Sequence, residues 1–369
     1  MKKKNNIKKV IVATGGTGGH LFPAIEIAKQ LEEKKIEVVI IADNRCKKYT
    51  NNKKITFIPS TFFHHGVTRS IISLFFIVAY ALKFTFKFYF IRPNLILGFG
   101  GYASFVPLLA ARFLKIPVIL HEQNLIIGKV NRLFTSYAKG ISFGIDIAFN
   151  LKKEHKHKSL VTNIAQNQYN KIRRPTSLKE DNLNILIFGG SQGAKVFTKI
   201  VPQSLILLQK KGINLSKIKI YQQVEKENIK IIKKQYNNIG ITSDIREFFH
   251  DIKDIYNKID LLICRGGSNS ICEIIRFNIP AITIPLKCST DKHQLFNCNY
   301  LSRKNLCWTV EQQNEKETSY KVSKIVSNLI KNKDLLIQKR NELDKLNKLR
   351  GKFPFLSEYV LSQIKNNSD

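Results

Sequence analysis

The sequence predicts an α/β protein built from two Rossmann-like domains, each a doubly wound parallel sheet. Short apolar runs alternate with helical patterns along the first half of the chain, and the alternation starts again at Leu183. Three of these runs pass directly into glycine-rich turns. The chain has 369 residues, more than one hydrophobic core usually organises, so two domains are expected. We expect them to face each other across a cleft.

The first domain is predicted to cover residues 1–160. Its strands are predicted at residues 10–14, 37–42, 56–59, 95–97, 118–121 and 140–143. Helical patterns separate them, and such alternation is typical of strands that run parallel. The charged stretch 151–159 then marks the boundary between the domains.

The second domain is predicted to cover residues 161–350. Its strands are predicted at residues 184–188, 217–222, near 241, 261–264 and 281–285. The last segment, residues 351–369, carries an amphipathic helical pattern that follows a basic, polar stretch. We therefore expect a C-terminal helix that returns to the first domain.

The chain is strongly basic, with 61 Lys and Arg against 27 Asp and Glu and a formal net charge of +34. The lysines are spread along the whole chain among abundant Asn and Ile, a pattern typical of A- and T-rich coding sequences. We therefore predict no nucleic-acid partner, although a basic surface attracts anionic membranes and substrates. The six cysteines form no C-x-x-C pair and no secretory signal opens the chain, so we expect reduced thiols inside the cell.

The segment from residue 71 to residue 91 is dense in aliphatic and aromatic side chains, and two lysines interrupt it. Its uncharged part, residues 70–82, is shorter than the roughly 20 residues that span a bilayer. With Arg69 and Arg92 as flanks, the segment fits a helix that lies among the lipid headgroups. A buried core helix has the same composition. We expect one face of this helix in the core and the other on lipid.

An apolar strand passes into four glycines and ends on His20. The glycines are Gly15, Gly16, Gly18 and Gly19. They allow a sharp turn and let backbone N–H groups approach a phosphate in front of the following helix. A histidine held there can accept a proton from a hydroxyl group. The alternative is a tight strand-to-helix turn in which His20 only caps the helix.

Two further glycine clusters follow apolar strands, at residues 98–102 and 189–193. In parallel sheets such turns lie at the carboxyl ends of the strands, where ligands bind near the switch point. Residues 121–124 read His-Glu-Gln-Asn at the end of another strand, and polar groups in that position suit a ligand site better than a core. Together these clusters predict a site that handles a diphosphate.

A further polar cluster follows the strand predicted at residues 261–264. Arg265 begins a glycine-containing turn, and Glu273 lies one to two turns into the next helix, where its carboxylate can accept hydrogen bonds from both hydroxyls of a ribose. A solvated helix glutamate is the alternative on spacing alone. Residues 291–297 start another helix with amide side chains that suit either sugar hydroxyls or helix capping.

Taken in order, these motifs resemble those of the MurG family, peripheral membrane glycosyltransferases of peptidoglycan synthesis with the two-domain GT-B fold. The motifs lie at residues 15–20, 98–104, 121–131, 189–194, 265–273 and 291–297. Their combination is far more specific than a single glycine loop. The resemblance implies that N-acetylglucosamine moves from UDP-N-acetylglucosamine to the 4-hydroxyl of the muramoyl sugar of lipid I, with inversion. It also implies that the protein acts at the cytoplasmic face of the inner membrane, bound to its anionic surface.

The resemblance implies a role for each site residue. His20 would be the catalytic base. The acceptor diphosphate would lie against Gly15, Gly16, Gly100, Gly101 and Tyr102. The donor would contact Thr17, Gly18, Gly19, Asn124, Ser191, Gln192, Phe248, Phe249, Gly267, Ser270, Glu273, Gln294 and Asn297.

Within the donor set, Phe248 and Phe249 would meet the uracil, and Glu273 would meet the ribose. Gln294 and Asn297 would contact the transferred sugar. The resemblance implies neither a metal nor another cofactor, because the positive end of the helix that follows the third glycine cluster would meet the charge on the leaving UDP.

One stretch departs from the family pattern. The family carries Gly-Asn-Pro-Val-Arg at the junction of its domains, whereas residues 162–166 of this chain read Thr-Asn-Ile-Ala-Gln. A hinge proline and a phosphate-facing arginine are therefore missing, and we expect weaker donor binding or activity. Arg173 and Arg265 are candidates to replace the arginine.

Three other functions fit part of the sequence. Residues 98–103 match the G-x-G-x-x-A pattern of NAD-dependent dehydrogenases, with Glu122 about 20 residues later for a ribose. A dehydrogenase has no use for a third glycine turn, however. A second alternative is another lipid-linked GT-B glycosyltransferase, and a third is a basic membrane- or nucleic-acid-binding protein without catalysis.

Overall fold

The structure, a computed structural model, describes residues 8–16, 18–50, 54–59, 67–164, 182–189 and 195–365. The chain divides into two compact units. One is formed by Met1–Gln168 with Phe353–Asp369, and the other by Tyr169–Lys352. Each unit contains one parallel sheet with helices packed against it.

The first unit contains a seven-stranded parallel sheet. Its strands are β1 (Lys9–Ala13), β2 (Glu37–Asp43), β3 (Ile55–Ile58), β4 (Leu95–Gly98), β5 (Val118–Glu122), β6 (Gly140–Phe143) and β7 (Ser159–Val161). They are ordered β3-β2-β1-β4-β5-β6-β7. The strand order reverses between β1 and β4, which makes the carboxyl ends of these two strands the switch point of the sheet.

Helices cover both faces of this sheet. They are α1 (Gly18–Glu33), α2 (Val67–Ile91), α3 (Tyr102–Phe113) and α4 (Lys129–Phe134). On one face, Ile11 packs in a cluster with Phe84 and Phe88 of α2, and on the other Val12 packs in a cluster with Leu21 of α1. Because both faces are covered, the central strands are apolar at nearly every position instead of at alternate ones.

The second unit contains a six-stranded parallel sheet. Its strands are β8 (Leu183–Phe188), β9 (Ile218–Gln223), β10 (Thr242–Arg246), β11 (Leu261–Cys264), β12 (Ala281–Thr283) and β13 (Trp308–Thr309). They are ordered β10-β9-β8-β11-β12-β13, so the switch point lies between β8 and β11. The helices are α5 (Phe197–Lys210), α6 (Ile229–Asn237), α7 (Ile252–Tyr256), α8 (Ser268–Arg276), α9 (His293–Arg303), α10 (Glu315–Lys331) and α11 (Asp334–Arg350).

The last helix, α12 (Leu356–Lys365), packs in the core of the first unit. Leu356, Val360 and Ile364 follow one another at four-residue spacing, and all three are buried in the cluster that contains α1. Gly140 at the start of β6 leaves room for this helix, since a Cβ there would collide with the hydroxyl group of Tyr359.

The strands predicted from the sequence are all present, and their ends differ from the prediction by at most two residues. Two edge strands were not predicted, β7 and β13. With three and two residues, they are too short to carry an apolar run, and it is pairing with β6 and β12 that orders them. Helix α1 begins at Gly18, within the first glycine cluster.

Candidate active site

The first two glycine turns touch each other at the switch point of the first sheet. A Cβ on Gly15 would lie 2.9 Å from the Cβ of Ala103, and a Cβ on Gly101 would lie 2.9 Å from the carbonyl oxygen of Gly15. Gly16 and Gly101 also have positive φ angles, 90° and 79°. Side chains at these positions would separate the two turns, so the glycines bring the first turns of α1 and α3 to one place.

Two helices therefore begin at this contact, α1 at Gly18 and α3 at Tyr102. Helix N-termini carry unpaired N–H groups and a partial positive charge, which favour an anionic ligand. Tyr102 is exposed at the start of α3. Thr17, which the sequence also assigned to the donor, lies outside the described residues.

His20 lies in the first turn of α1, next to the first glycine turn. A Cβ on Gly16 would be 3.8 Å from Cδ2 of the His20 ring, and the side chain is half-buried. Behind it lies His121, which is completely buried. Burial first, and the neighbouring His20 second, lower the pKa of His121 to about 3, so this ring is neutral at physiological pH.

A buried polar chain holds the His121 ring. Its Nδ1 lies 2.8 Å from Oγ of Ser142, and that oxygen lies 2.6 Å from Oγ1 of Thr162. The ring also packs on Phe99, with 5.0 Å between ring centroids. The sequence did not predict the roles of Ser142, in β6, and Thr162, directly after β7, because isolated hydroxyl side chains carry no recognisable signal.

Glu122 is buried and organises the loop that follows β5. One carboxylate oxygen accepts hydrogen bonds from the backbone N–H and the side-chain amide of Asn124, at 3.0 and 3.2 Å. The other accepts from the N–H of Gly128 and the side-chain amide of Asn131, both at 3.0 Å. Because both carboxylate oxygens already accept hydrogen bonds from neighbouring residues, Glu122 is not available to bind the ribose hydroxyls of a dinucleotide, as a dehydrogenase would require. Its carboxylate positions Asn124 at the carboxyl edge of the sheet.

In the second unit, the turn after β11 leads into α8. Gly266 packs tightly against α9, because a Cβ there would collide with Sγ of Cys298 and the carbonyl oxygen of Gln294. Gly267 is open, because apart from its two chain neighbours no atom of the described residues lies within 4 Å of an added Cβ. The turn therefore has one packed residue and one accessible residue directly before α8.

The amide side chains assigned to the transferred sugar fix this turn. Asn297 is completely buried, and its amide donates a hydrogen bond to the carbonyl oxygen of Gly266 at 3.1 Å. Oε1 of Gln294 accepts a hydrogen bond from the backbone N–H of Leu286 at 2.9 Å. These side chains hold two loops in place at the carboxyl edge of the second sheet.

Glu273 is half-buried on the second turn of α8. Its Oε2 accepts a hydrogen bond from the hydroxyl group of Tyr256, at 2.8 Å. Burial raises the pKa of Glu273 to about 7, although the Tyr256 hydroxyl opposes this shift. The sequence did not single out Tyr256, which lies 17 residues before its partner. Ser270, one turn before Glu273, is buried.

The two phenylalanines assigned to the uracil differ in exposure. Phe248 is 57% exposed, whereas Phe249 is 3% exposed and lies under the guanidinium of Arg246, 5.2 Å from its ring centroid. Phe248 is therefore the ring that a flat base can reach. Ser191 and Gln192 lie outside the described residues.

Arg265 is fixed within the second unit. Its Nη1 donates to the carbonyl oxygen of Ile284 at 3.1 Å and to Oε1 of Gln312 at 2.7 Å, and its guanidinium stacks on Phe197. Arg173, the other candidate for the missing arginine, lies outside the described residues. Among the described residues, no three His, Cys, Asp or Glu side chains are grouped so that they could hold a metal ion.

We predict that Glu122→Gln destabilises the first unit by about 2 to 4 kcal/mol, because either orientation of the new amide points an NH₂ group at two hydrogen-bond donors. A chain of two units need not unfold in one step, so calorimetry that resolves each transition is the measurement. The transition of the first unit should fall by about 5 to 10 °C. Glu33→Gln, on the exposed end of α1, is the control. Equal transition temperatures of the first unit in Glu122→Gln and Glu33→Gln would contradict the organising role of Glu122.

We predict that Glu273→Gln stabilises the second unit increasingly as pH rises from 5 to 8. A folded-state pKa near 7, above the ordinary value of 4.5, means that the stability contributed by this carboxyl is present below pH 4.5 and lost as pH rises to 7. Glutamine does not titrate, and it keeps an oxygen for Tyr256. The gain in the stability of Glu273→Gln over the parent, relative to low pH, should reach about 3 kcal/mol at pH 8. The control is Glu227→Gln at an exposed site. A difference that is constant with pH would refute the prediction.

Comparisons with known proteins agree with this architecture. The N-terminal domain model of glycosyltransferase family 28 matches residues 10–142, and the C-terminal domain model of the same family matches residues 184–351. The crystal structure of MurG from Acinetobacter baumannii aligns with a TM-score of 0.74 at 24% identity, covering 97% of this chain and 99% of that one. These matches confirm the predicted GT-B fold.

Two relatives carry the name UDP-N-acetylglucosamine–N-acetylmuramyl-(pentapeptide) pyrophosphoryl-undecaprenol N-acetylglucosamine transferase. The relative from Rickettsia canadensis is 38% identical over 312 residues, which is 84% of this chain and 87% of that protein. The relative from Rickettsia bellii is 33% identical over 356 residues, which is 92% of this chain and 98% of that protein. The predicted family and enzyme class are confirmed: the chain belongs to the MurG family of glycosyltransferases.

Proposed function

We propose that this enzyme transfers N-acetylglucosamine from UDP-N-acetylglucosamine to the 4-hydroxyl of the muramoyl sugar of lipid I, and so makes lipid II for peptidoglycan. The observation that carries the proposal is the position of His20 beside two glycine turns that meet at the switch point of the first sheet. A base next to an anion-binding edge suits an acceptor that carries both a hydroxyl and a diphosphate. The names of the two relatives specify the same donor and acceptor.

His20 is the catalytic base in this proposal. It takes the proton of the 4-hydroxyl while that oxygen forms a bond to the anomeric carbon of N-acetylglucosamine. On the opposite side of that carbon, the bond to UDP breaks, and the configuration inverts. The neutral ring of His121 places no second positive charge beside His20, so His20 can carry the proton that it accepts.

The donor is assigned mainly to the second unit. The carboxylate of Glu273 accepts hydrogen bonds from the ribose hydroxyls, and the exposed ring of Phe248 stacks on the uracil. Gly267 and Ser270 border the diphosphate at the start of α8, while Gln294 and Asn297 hold the loops that line the sugar. The remaining donor contacts are assigned to Thr17, Gly18, Gly19, Asn124, Ser191 and Gln192.

The acceptor diphosphate is assigned to the first unit. It lies against the contact between the two glycine turns, which Gly15, Gly16, Gly100 and Gly101 form and where Tyr102 begins α3. Two helix N-termini stabilise its negative charge. The proposal needs neither a metal nor a further cofactor for this contact.

Membrane attachment is assigned to α2. Among the described residues, the part Ser73–Ile91 is the one helix long and apolar enough to cross a membrane, by length and composition alone. Ala81, Phe84 and Phe88 are buried in the core of the first unit, however, and a membrane span would remove them from it. The other face exposes large apolar side chains, namely Leu74, Phe75, Phe76, Val78, Leu82, Phe86, Tyr89 and Phe90. We therefore assign this exposed face to an anionic bilayer surface at the cytoplasmic side, with the enzyme peripheral.

We predict that His20→Ala lowers kcat by about two to four powers of ten and leaves the Kd for UDP within about twofold, because a general base acts in the transition state. The measurement is transfer of radiolabelled N-acetylglucosamine to a lipid I analogue, with calorimetric titration of UDP. His157→Ala, at an exposed position of the same unit, is the control. A kcat for His20→Ala within a few fold of the parent would place the base elsewhere.

For the exposed face of α2, we predict that the double variant Phe75→Ser with Leu82→Ser lowers binding to anionic vesicles about tenfold or more. Each buried CH₂ contributes about 0.8 kcal/mol to membrane binding, and nearby basic residues such as Lys83 and Lys87 add to it. Vesicle co-sedimentation at rising salt is the measurement, and Ile231→Ser, exposed in the second unit, is the control.

Binding by the parent chain should weaken with salt, and alkaline carbonate should release the protein from cell membranes. Retention after carbonate would mean that α2 spans the bilayer. Equal binding by the double variant and the control would mean that this face does not contact lipid.

A further inference from the structure

A short 3-10 helix, Asn44–Tyr49, follows β2 and lies beside the glycine turns of the first unit. Sγ of Cys46 lies 3.8 Å from the carbonyl oxygen of Gly16, and the ring of Tyr49 packs edge-on against Phe22 of α1, with 6.0 Å between centroids. The helix is therefore fixed to the edge of the sheet where the first glycine turn lies. Nothing in the sequence motifs of the family marked this segment.

Arg45 on this helix is held in one orientation by Asp43, which is completely buried at the end of β2. Nη2 and Nε of the guanidinium lie 2.7 and 3.1 Å from the carboxylate oxygens of Asp43, and Asp43 also accepts a hydrogen bond from the backbone N–H of Arg45. The arginine side chain remains about half exposed, at 52%. Within the described part of the chain, Nη1 makes no hydrogen bond, so an ordered donor is available to a ligand.

Arg45 follows β2, which pairs with β1, the strand that leads into the first glycine turn. Its guanidinium offsets the negative charge of the buried Asp43 carboxylate, which would otherwise repel an anion. Arg45 lies close enough to Tyr102, at the second glycine turn, for the two side chains to interact electrostatically. A planar guanidinium that is oriented by a carboxylate is well suited to phosphate oxygens.

We propose that Arg45 is a binding residue for the diphosphate of the lipid acceptor, oriented beside the two glycine turns by Asp43. This inference rests on the proposed function of the first unit and adds to it the cation that neutralises the acceptor. Arg45 acts on binding only and takes no part in proton transfer. The nucleotide diphosphate of the donor is assigned to the second unit, so the affinity of the chain for UDP should not depend on Arg45.

The test is binding of geranyl diphosphate, a soluble prenyl diphosphate, to the full chain by calorimetric titration. Arg45→Gln should weaken binding about ten- to hundredfold, the range for a lost charge-assisted hydrogen bond, and Arg45→Lys should restore part of it. Arg112→Gln is the matched control, since Arg112 is an exposed arginine at the far end of α3. Binding of UDP should be equal in all four proteins.

Arg45→Gln leaves the buried Asp43 carboxylate without its partner, so the double variant D43N/R45Q is measured as well. The amide introduced at position 43 keeps an oxygen that accepts the hydrogen bond from the backbone N–H of residue 45. The double variant therefore has no unpaired buried charge. The proposal is overturned if the double variant binds geranyl diphosphate as tightly as Arg112→Gln does, or if the parent chain does not bind it. A parent that binds geranyl diphosphate but transfers no sugar to a lipid I analogue would refute the proposed reaction and leave the role of Arg45 standing.

Discussion

The backbone contact between the turns at Gly15 and Gly101 is the constraint on which the first unit depends. The turns follow adjacent strands, β1 and β4, and they approach so closely that neither position has room for a Cβ. As a result, α1 and α3 both begin at one point of the sheet edge, and His20 lies there on a rigid helix instead of on a loop. Catalytic geometry is more accurate on such elements, because packing fixes the side chain before substrate arrives.

Buried polar side chains hold the loops around that contact and its counterpart in the second unit. Glu122 accepts hydrogen bonds from three donors of the loop after β5 and one of α4, and Asn297 connects α9 to the turn after β11. A buried carboxylate or amide with all its partners makes a loop rigid, whereas one without partners is costly. Both units thus place ordered loops at the carboxyl ends of their strands, where ligands bind in parallel sheets. Burial also sets the protonation of the site, because it keeps His121 neutral and raises the pKa of Glu273.

The sequence predicted the two sheets and the first two glycine turns because these features are local. A central strand of a parallel sheet is an uninterrupted apolar run, and a turn that needs positive φ, such as that at Gly101, requires glycine. The edge strand β13 could not be predicted, since two residues have no pattern of their own. Contacts between residues far apart in the sequence were also hidden, since Tyr256 lies 17 residues before Glu273 and meets it only in the folded chain. The exposure of Phe248 and the burial of Phe249 likewise depend on packing, although the two are neighbours.

The central claim is that this chain joins N-acetylglucosamine to the muramoyl sugar of lipid I by a single displacement. The most direct measurement is the structure of the product formed by the full chain from UDP-N-acetylglucosamine and a lipid I analogue, determined by proton NMR of the purified disaccharide. The account predicts a new bond to the 4-hydroxyl with β configuration, formed from the α-linked donor. A product with retained α configuration, a bond to another hydroxyl, or release of free N-acetylglucosamine without a disaccharide would contradict it.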